Sequence, residues 1–150
     1  MASRETFVQR EQHRIYVRDH PGAEPAIILM HGFPDNVHLY DRLSPYLSSS
    51  RRIVLFDFLG WGSSDKPSGY PYTTDNQVGD LDAVITQLGL GQVVLVAHDA
   101  SGPPAIDWAL LHAERVAGQV RCQRDEAFAE SPSRIRHVGK RPECHATHRE

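Results

Sequence analysis

The sequence predicts an α/β fold, with an opening β-hairpin followed by a mostly parallel sheet and flanking helices. Three continuous apolar runs, at residues 25–30 (PAIILM), 52–57 (RIVLFD) and 92–97 (QVVLVA), are typical of strands that are covered on both faces. Helix-like segments follow these runs, and that alternation is the pattern of parallel βαβ units. Two short alternating segments, 5–9 and 13–18, precede them and predict the hairpin.

Apolar spacing predicts three helices between and after these strands. The first covers 37–47 and places four apolar residues at helical spacing: Leu39, Leu43, Tyr46 and Leu47. The second covers 75–90, where apolar residues recur every three or four positions and Thr73 or Thr74 can cap the N-terminus. The third covers 102–112 and begins with two prolines, which a helix tolerates in its first turn.

The composition changes near residue 120 and divides the chain into two parts. Residues 1–120 make a partial α/β core, and 115–120 predict the start of a further strand. Residues 121–150 are rich in arginine, histidine, glutamate, serine and proline and contain few large apolar side chains. Because such a segment buries too little apolar surface to offset its ordering entropy, we expect it to be disordered or translated out of frame.

Charge, hydropathy and cysteine usage argue against several classes of protein. The net charge of -3 gives no electrostatic footprint for nucleic acid, and no apolar run approaches the roughly 18 residues of a membrane-spanning helix. The N-terminus carries no apolar leader, and the two cysteines are expected to be free thiols, so we predict a cytoplasmic location. Cys122, Cys144, His145 and His148 lack the paired spacing of a zinc site, and we expect neither a metal nor a cofactor.

The junction of the third apolar run with the third helix places Asp99 at a tight corner. The residues two before and two after it, Ala97 and Ser101, are both small, as a strained strand-to-helix corner requires. A carboxylate at that corner can act as a nucleophile, with the helix N-terminus stabilising negative charge. Two other interpretations remain open here: Asp99 caps the helix, or Ser101 is the nucleophile of an esterase.

The turn after the first apolar run contributes the second part of the predicted site, beside the corner at Asp99. His31-Gly32-Phe33-Pro34 can aim a backbone N–H at the ligand edge of the sheet, where the carboxyl ends of the strands meet. Together with the N–H of the residue after the nucleophile, this predicts an oxyanion hole made by the amides of Phe33 and Ala100.

Three motifs carry a resemblance to a known family: HGFPD at 31–35, FDFLGWGSSDKP at 56–67 and LVAHDASG at 95–102. In order and spacing they resemble the N-terminal half of α/β-hydrolase-fold enzymes, in the branch with an aspartate nucleophile that includes epoxide hydrolases and haloalkane dehalogenases. The resemblance implies that Asp99 attacks a small-molecule epoxide or carbon–halogen substrate.

The resemblance also implies roles for neighbouring residues. Gly32 belongs to the supporting loop, and His31 and His98 orient loops rather than take part in the chemistry. Haloalkane dehalogenases typically hold the leaving halide with a tryptophan after the nucleophile and an asparagine or tryptophan in the HG-x-P turn. Those positions are Ala100 and Phe33 here.

In this family the catalytic acid, the cap and the histidine base all follow the nucleophile in the chain. Together they need many more residues than remain after Asp99. We therefore expect a chain without cap and C-terminal half, in which the reading frame changes near 118–120. An ester on Asp99 would then form without turning over. The alternative is a non-catalytic fragment or interaction module. In either case we expect the strand at 92–97 to present an open sheet edge through which copies could self-associate.

Overall fold

A seven-stranded mixed sheet is the framework of the molecule, and its strand order is β1-β2-β4-β3-β5-β6-β7. The computed structural model describes residues 3–122 and a short strand at 135–137. The strands are β1 Arg4–Arg10, β2 His13–His20, β3 Ala26–Met30, β4 Ile53–Phe56, β5 Val93–His98, β6 Val116–Cys122 and β7 Ile135–His137.

The predicted hairpin and parallel sheet are both confirmed. β1 and β2 pair antiparallel, and β2 joins β4 antiparallel, so the hairpin enters the sheet from one side. β4, β3, β5 and β6 then run parallel to one another. In this register Met30 pairs with both Phe56 and Ala97, so three strands end at the same edge of the sheet.

Two of the three predicted helices form as expected. The helices are α1 Ser44–Leu47, α2 Thr74–Gln87 and α3 Gly102–Leu111. Thr73 caps α2, its hydroxyl accepting the Asn76 N–H at 3.4 Å, and two prolines lie at the start of α3. Within residues 3–122, no helix is long and apolar enough to cross a membrane.

The prediction of one helix over 37–47 is wrong. A 3-10 helix at Val37–Tyr40 and the single turn of α1 replace it. Pro45 has no N–H to continue a helix from the preceding residues, and it starts a new turn instead. The periodicity misled because Val37 and Tyr40 are the buried hydrophobic residues of this segment, whereas Tyr46 is 79% exposed.

The hydrophobic core lies on both faces of the sheet. On one face α2 and α3 pack over the strands, and Trp108 is the largest buried side chain there. On the other face, the segment that contains Val37 and Tyr40 covers Leu29, Ile53 and Leu55. The central strands are thereby buried on both sides, which fixes the position of their carboxyl ends.

The expectation of an open edge along β5 is wrong. β6 pairs with β5 from Val93 to His98, because the strand that the sequence predicts to begin at 115–120 continues as far as Cys122. β7 pairs in turn with the end of β6. The rest of the segment 121–150, and with it the expectation of disorder, lies outside the described residues.

A buried carboxyl group joins α2 to the loop after β4. Asp80 is 1% exposed, and its Oδ2 accepts the Leu59 N–H at 3.1 Å. The nearest cation is Arg10, whose Nε lies 3.7 Å from Oδ1. Burial raises the pKa of Asp80 to about 6, because the partly compensated charge is costly to desolvate.

The raised pKa of Asp80 predicts a stability that falls as the pH rises. Between the ordinary pKa of about 4 and the folded value of about 6, the folded chain binds more protons than the unfolded chain, so the free energy of unfolding decreases. From pH 4 to pH 7 we expect Asp80 to contribute a loss of about 2 kcal/mol. Urea titrations from pH 4 to pH 7 should show the free energy of unfolding of Asp80→Asn rising, relative to that of the unsubstituted chain, by about 2 kcal/mol. Asp75→Asn, at an exposed position of α2, is the control. Parallel pH curves for the unsubstituted chain and Asp80→Asn would contradict the prediction.

Candidate active site

Three loops meet where β3, β4 and β5 end. They are the His31-Gly32-Phe33-Pro34 turn after β3, the loop of residues 57–63 after β4, and the corner of residues 98–101 after β5. Ligands of open α/β sheets bind outside the carboxyl ends of the strands, so this edge is the place where a site is expected.

Asp99 occupies a left-handed backbone conformation, with φ of 51°. β5 ends at His98, Asp99–Ser101 forms one 3-10 turn, and α3 begins at Gly102. Non-glycine residues adopt this conformation at a cost of the order of 1 kcal/mol, and aspartate tolerates it better than most. The corner leaves the Asp99 side chain exposed at the start of a helix, where negative charge is favoured.

The turn after β3 lies directly against Asp99. The Phe33 N–H donates to Asp99 Oδ2 at 3.3 Å, across 66 residues of sequence. Gly32 makes this approach possible, because a Cβ there would lie 2.7 Å from Asp99 Cβ and 2.9 Å from the His98 carbonyl oxygen. The structure therefore brings Asp99 and Phe33 together, and Ala100 follows Asp99 at the exposed surface of the corner.

The Ser101 hydroxyl is engaged below the corner and is only 1% exposed. Its Oγ accepts the His98 N–H at 2.9 Å, and it lies 3.1 Å from the Met30 carbonyl oxygen and 2.9 Å from the His98 carbonyl oxygen. A hydroxyl that is buried and bonded in this way is not presented to a substrate, which argues against Ser101 as a nucleophile.

His31 ties the turn after β3 to the loop after β4. Its Nε2 accepts the Phe58 N–H at 3.2 Å, so its Nδ1 carries the proton and donates to the Gly32 carbonyl oxygen at 2.8 Å. Burial lowers the pKa of His31, which keeps the ring neutral in this arrangement. His98 precedes Asp99 and is half-buried, and among the described residues its Nδ1 has no hydrogen-bond partner.

Asp57 organises the loop after β4. Its carboxylate is buried and accepts the Val37 N–H at 2.7 Å and the Ser63 N–H at 2.8 Å. Gly62, with φ of 49°, passes so close to this carboxylate that a Cβ would collide with it. These contacts hold the wall of the site but do not reach Asp99.

Tyr40 is a contributor that the sequence does not single out. Its hydroxyl donates to the Met30 carbonyl oxygen at 2.8 Å, and Ser101 Oγ lies 3.1 Å from the same oxygen. Burial raises the pKa of the Tyr40 phenol, so the group keeps its proton and acts as a donor. No motif marks this contact, since it depends on where the 37–40 segment folds back onto β3.

The comparison with protein families decides what this geometry belongs to. The family model described as the alpha/beta hydrolase fold matches residues 25–122. The chain belongs to the alpha/beta hydrolase family. The matched segment begins just before β3 and ends with β6, so all three loops of the site lie inside it.

Relatives within the alpha/beta hydrolases include dehalogenases and epoxide hydrolases. The chain is 35% identical over 99 residues to a fluoroacetate dehalogenase from Burkholderia sp, covering 63% of this chain and 33% of that protein. It is 36% identical over 116 residues to a haloalkane dehalogenase from Sphingobium indicum, covering 75% of this chain and 39% of that protein. A solved structure of the epoxide hydrolase VrEH1 from Vigna radiata superimposes with a TM-score of 0.73 at 30% identity, covering 79% of this chain and 39% of that one. The chain thus spans between a third and two fifths of the length of these alpha/beta hydrolases.

The remaining candidate residues lie apart from Asp99 or outside the described residues. Among residues 3–122, no histidine side chain hydrogen-bonds to the Asp99 carboxylate, and no three metal-ligating side chains cluster. Cys122 is a free, half-buried thiol whose pKa is raised by burial. Cys144, His145 and His148 fall outside the part of the chain that the structure describes.

Proposed function

We propose that Asp99 is the nucleophile of a hydrolase that opens a carbon–halogen bond or an epoxide in a small-molecule substrate. The observation that carries the proposal is the exposed carboxylate at a positive-φ corner, held by the Phe33 N–H at 3.3 Å. The dehalogenases and the epoxide hydrolase to which the chain is similar support the choice of these two substrate classes.

The contact with Phe33 distinguishes the two carboxylate oxygens of Asp99. Oδ2 accepts the Phe33 N–H and becomes the carbonyl oxygen of the ester, while Oδ1 attacks the saturated carbon. With a haloalkane, the carbon–halogen bond breaks and the halide leaves with the electron pair. With an epoxide, a ring carbon–oxygen bond breaks and the alkoxide takes its proton from solvent water.

The second step is attack of water on the ester carbonyl, which places negative charge on the former Oδ2. The N–H groups of Phe33 and Ala100 are the donors we assign to that oxyanion. Water needs a base for this attack, and no histidine among residues 3–122 bonds to Asp99. We therefore expect this chain alone to form the ester once and not to turn over.

The leaving group of a haloalkane receives little help from this site. Phe33 is 67% exposed and, like Ala100, has no side-chain N–H to hold a halide. Epoxide opening releases no halide and so does not require Phe33 and Ala100 to bind one. For this reason the two substrate classes are tested separately.

The test is mass spectrometry of the purified 150-residue chain after incubation with 1-bromobutane or styrene oxide. We expect one ester per chain, located by digestion to Asp99, with at least one of the two probes. Asp99→Asn should abolish the adduct while keeping the backbone, because asparagine tolerates the left-handed conformation. Asp107→Asn, at an exposed position of α3, should leave the adduct unchanged.

An unmodified chain with both probes would sink the proposal and favour a non-catalytic interaction module. Modification of another residue with Asp99 intact would have the same consequence. Steady turnover that Asp99→Asn abolishes would keep the nucleophile and overturn the expectation of a single event.

A further inference from the structure

We propose that Ser101 and Tyr40 are positioning residues. Their hydroxyls hold the turn of residues 31–34 and the corner of residues 98–101 together through the Met30 carbonyl oxygen. The inference rests on the proposed role of Asp99 and goes beyond it, because neither hydroxyl touches the reacting atoms. The Tyr40 hydroxyl donates to the Met30 carbonyl oxygen at the end of β3, and the Ser101 oxygen lies 3.1 Å from that oxygen, between the two halves of the site.

The Met30 carbonyl is placed to control the turn that carries Phe33. It belongs to the peptide that joins Met30 to His31, and His31-Gly32-Phe33 follows immediately. The Tyr40 hydroxyl reaches this oxygen at 2.8 Å and the Ser101 hydroxyl at 3.1 Å. The Tyr40 donor and the adjacent Ser101 hydroxyl restrict the rotation of that peptide, and the direction of the Phe33 N–H depends on it.

The Ser101 hydroxyl also controls the corner that carries Asp99. Its oxygen accepts the His98 N–H at 2.9 Å, and this bond fixes the residue before Asp99 from three positions further along the chain. Its single proton goes to either the Met30 or the His98 carbonyl oxygen. This one side chain therefore spans the positive-φ residue and links it to the neighbouring strand.

β3 and β5 are paired as far as Met30 and Ala97, and the two halves of the site lie beyond the end of this ladder. Phe33 and Asp99 are 66 residues apart, and their direct contact is a single hydrogen bond of 3.3 Å. That bond is long for an N–H donating to a carboxylate, so small shifts of either half would break it. The contacts of Ser101 and Tyr40 with the Met30 carbonyl are buried and shielded from water. They hold the turn and the corner in place although Asp99 itself is exposed.

A matched buried serine makes the inference testable. Ser64 is also buried with two hydrogen bonds, accepting the Tyr16 N–H at 2.8 Å and donating to the Asp57 carbonyl oxygen. Ser64→Ala and Ser101→Ala therefore remove the same group from similar surroundings, and only the second lies at the corner. Tyr40→Phe removes the hydroxyl that donates to Met30 and leaves the His98–Ser101 contact in place.

The first measurement is independent of activity. In ¹⁵N NMR spectra of the full chain, Asp99→Asn should shift the Phe33 amide resonance, because it replaces the carboxylate that accepts the Phe33 N–H. The size of that shift, measured in each background, is the response. We expect Ser101→Ala to reduce the response at least about twofold and Tyr40→Phe to reduce it less, while Ser64→Ala leaves it intact.

The second measurement is the rate of ester formation with whichever probe, 1-bromobutane or styrene oxide, modifies Asp99. We expect Ser101→Ala to lower the maximum rate about tenfold, with an unchanged half-saturating probe concentration, because misorientation affects the reacting geometry and not binding. A purely structural serine would behave as Ser64 does, with lower stability and the same rate.

The outcomes separate this inference from the proposed function. If Ser101→Ala leaves both the Phe33 response and the rate as Ser64→Ala does, the positioning role is overturned. A chain in which Asp99→Asn leaves the Phe33 amide resonance unshifted overturns it as well. If the response is present and depends on Ser101 but no ester forms with either probe, the positioning role stands and the proposed chemistry falls.

Discussion

Replacing Gly32 by alanine is expected to slow ester formation at Asp99 by about 100-fold or more. The added Cβ would lie 2.7 Å from Asp99 Cβ, 2.9 Å from the His98 carbonyl oxygen and 3.0 Å from Asp99 Oδ2. Asp99 Cβ is bonded directly to the backbone and the His98 carbonyl oxygen is part of it, so neither atom can rotate out of the way. The turn must therefore move away from the corner, and the Phe33 hydrogen bond to Asp99 is lost.

Gly91→Ala is the matched control for this substitution. It lies in the loop before β5, and a Cβ there would have no heavy atom within 4 Å. The check is the single-turnover rate with the same probe, together with a urea titration of each variant to show that the rate is measured on folded chain. A Gly32→Ala rate within about threefold of the Gly91→Ala rate would contradict a close approach of the turn to Asp99.

Replacing Asp57 by alanine is expected to lower the free energy of unfolding by about 4 kcal/mol. The substitution leaves the buried Val37 N–H and the partly buried Ser63 N–H without their charged acceptor, and each such loss costs about 1–3 kcal/mol. For a chain with an ordinary stability of about 5–15 kcal/mol this is a large fraction of the total. Urea unfolding measures the change, and Asp107→Ala, exposed on α3, is the control with little expected effect.

The Asp57 prediction can be sharpened with Gly62. Gly62→Ala should also destabilise the chain, because its Cβ would displace the Asp57 carboxylate and its positive φ disfavours a side chain. Since both substitutions disrupt one set of contacts, the double variant should lose clearly less stability than the sum of the single losses. Additive losses would show that Gly62 and Asp57 act independently.

The elements that the sequence predicts well are those with strong local periodicity. The three apolar runs became β3, β4 and β5, and the segments 75–90 and 102–112 became α2 and α3, with ends shifted by up to three residues. Continuous apolar runs and amphipathic spacing report burial directly, and burial is what the sheet and its helices require.

Predictions failed where tertiary packing chooses among weak local preferences. In the 37–47 segment, Leu39, Leu43 and Tyr46 have helical spacing, yet the fold buries Val37 and Tyr40 because they face β3. The open edge at β5 was expected because composition changes near 120, yet β6 continues to Cys122 with Gln119 and Arg121 in the ladder. Backbone pairing tolerates polar side chains that a hydropathy argument rejects.

The sequence motifs predicted the candidate site residues themselves but not the residues that hold them in position. Asp99, Gly32 and Phe33 follow from strand ends and small neighbours, and the structure places them in contact. The links of Tyr40 and Ser101 to the Met30 carbonyl join positions 10 and 71 residues apart, and no local pattern encodes them. The same holds for the burial of Asp80 beneath the loop after β4.

The positive φ of Asp99 limits which amino acids evolution can try at this corner. Threonine and valine are branched at Cβ and are poor occupants of the left-handed region, so the backbone alone disfavours threonine at this corner. Unbranched serine, cysteine and asparagine meet a lower barrier. A lineage that keeps this backbone can exchange one unbranched reactive group for another by point mutation, and its reaction chemistry can change while the corner itself stays fixed.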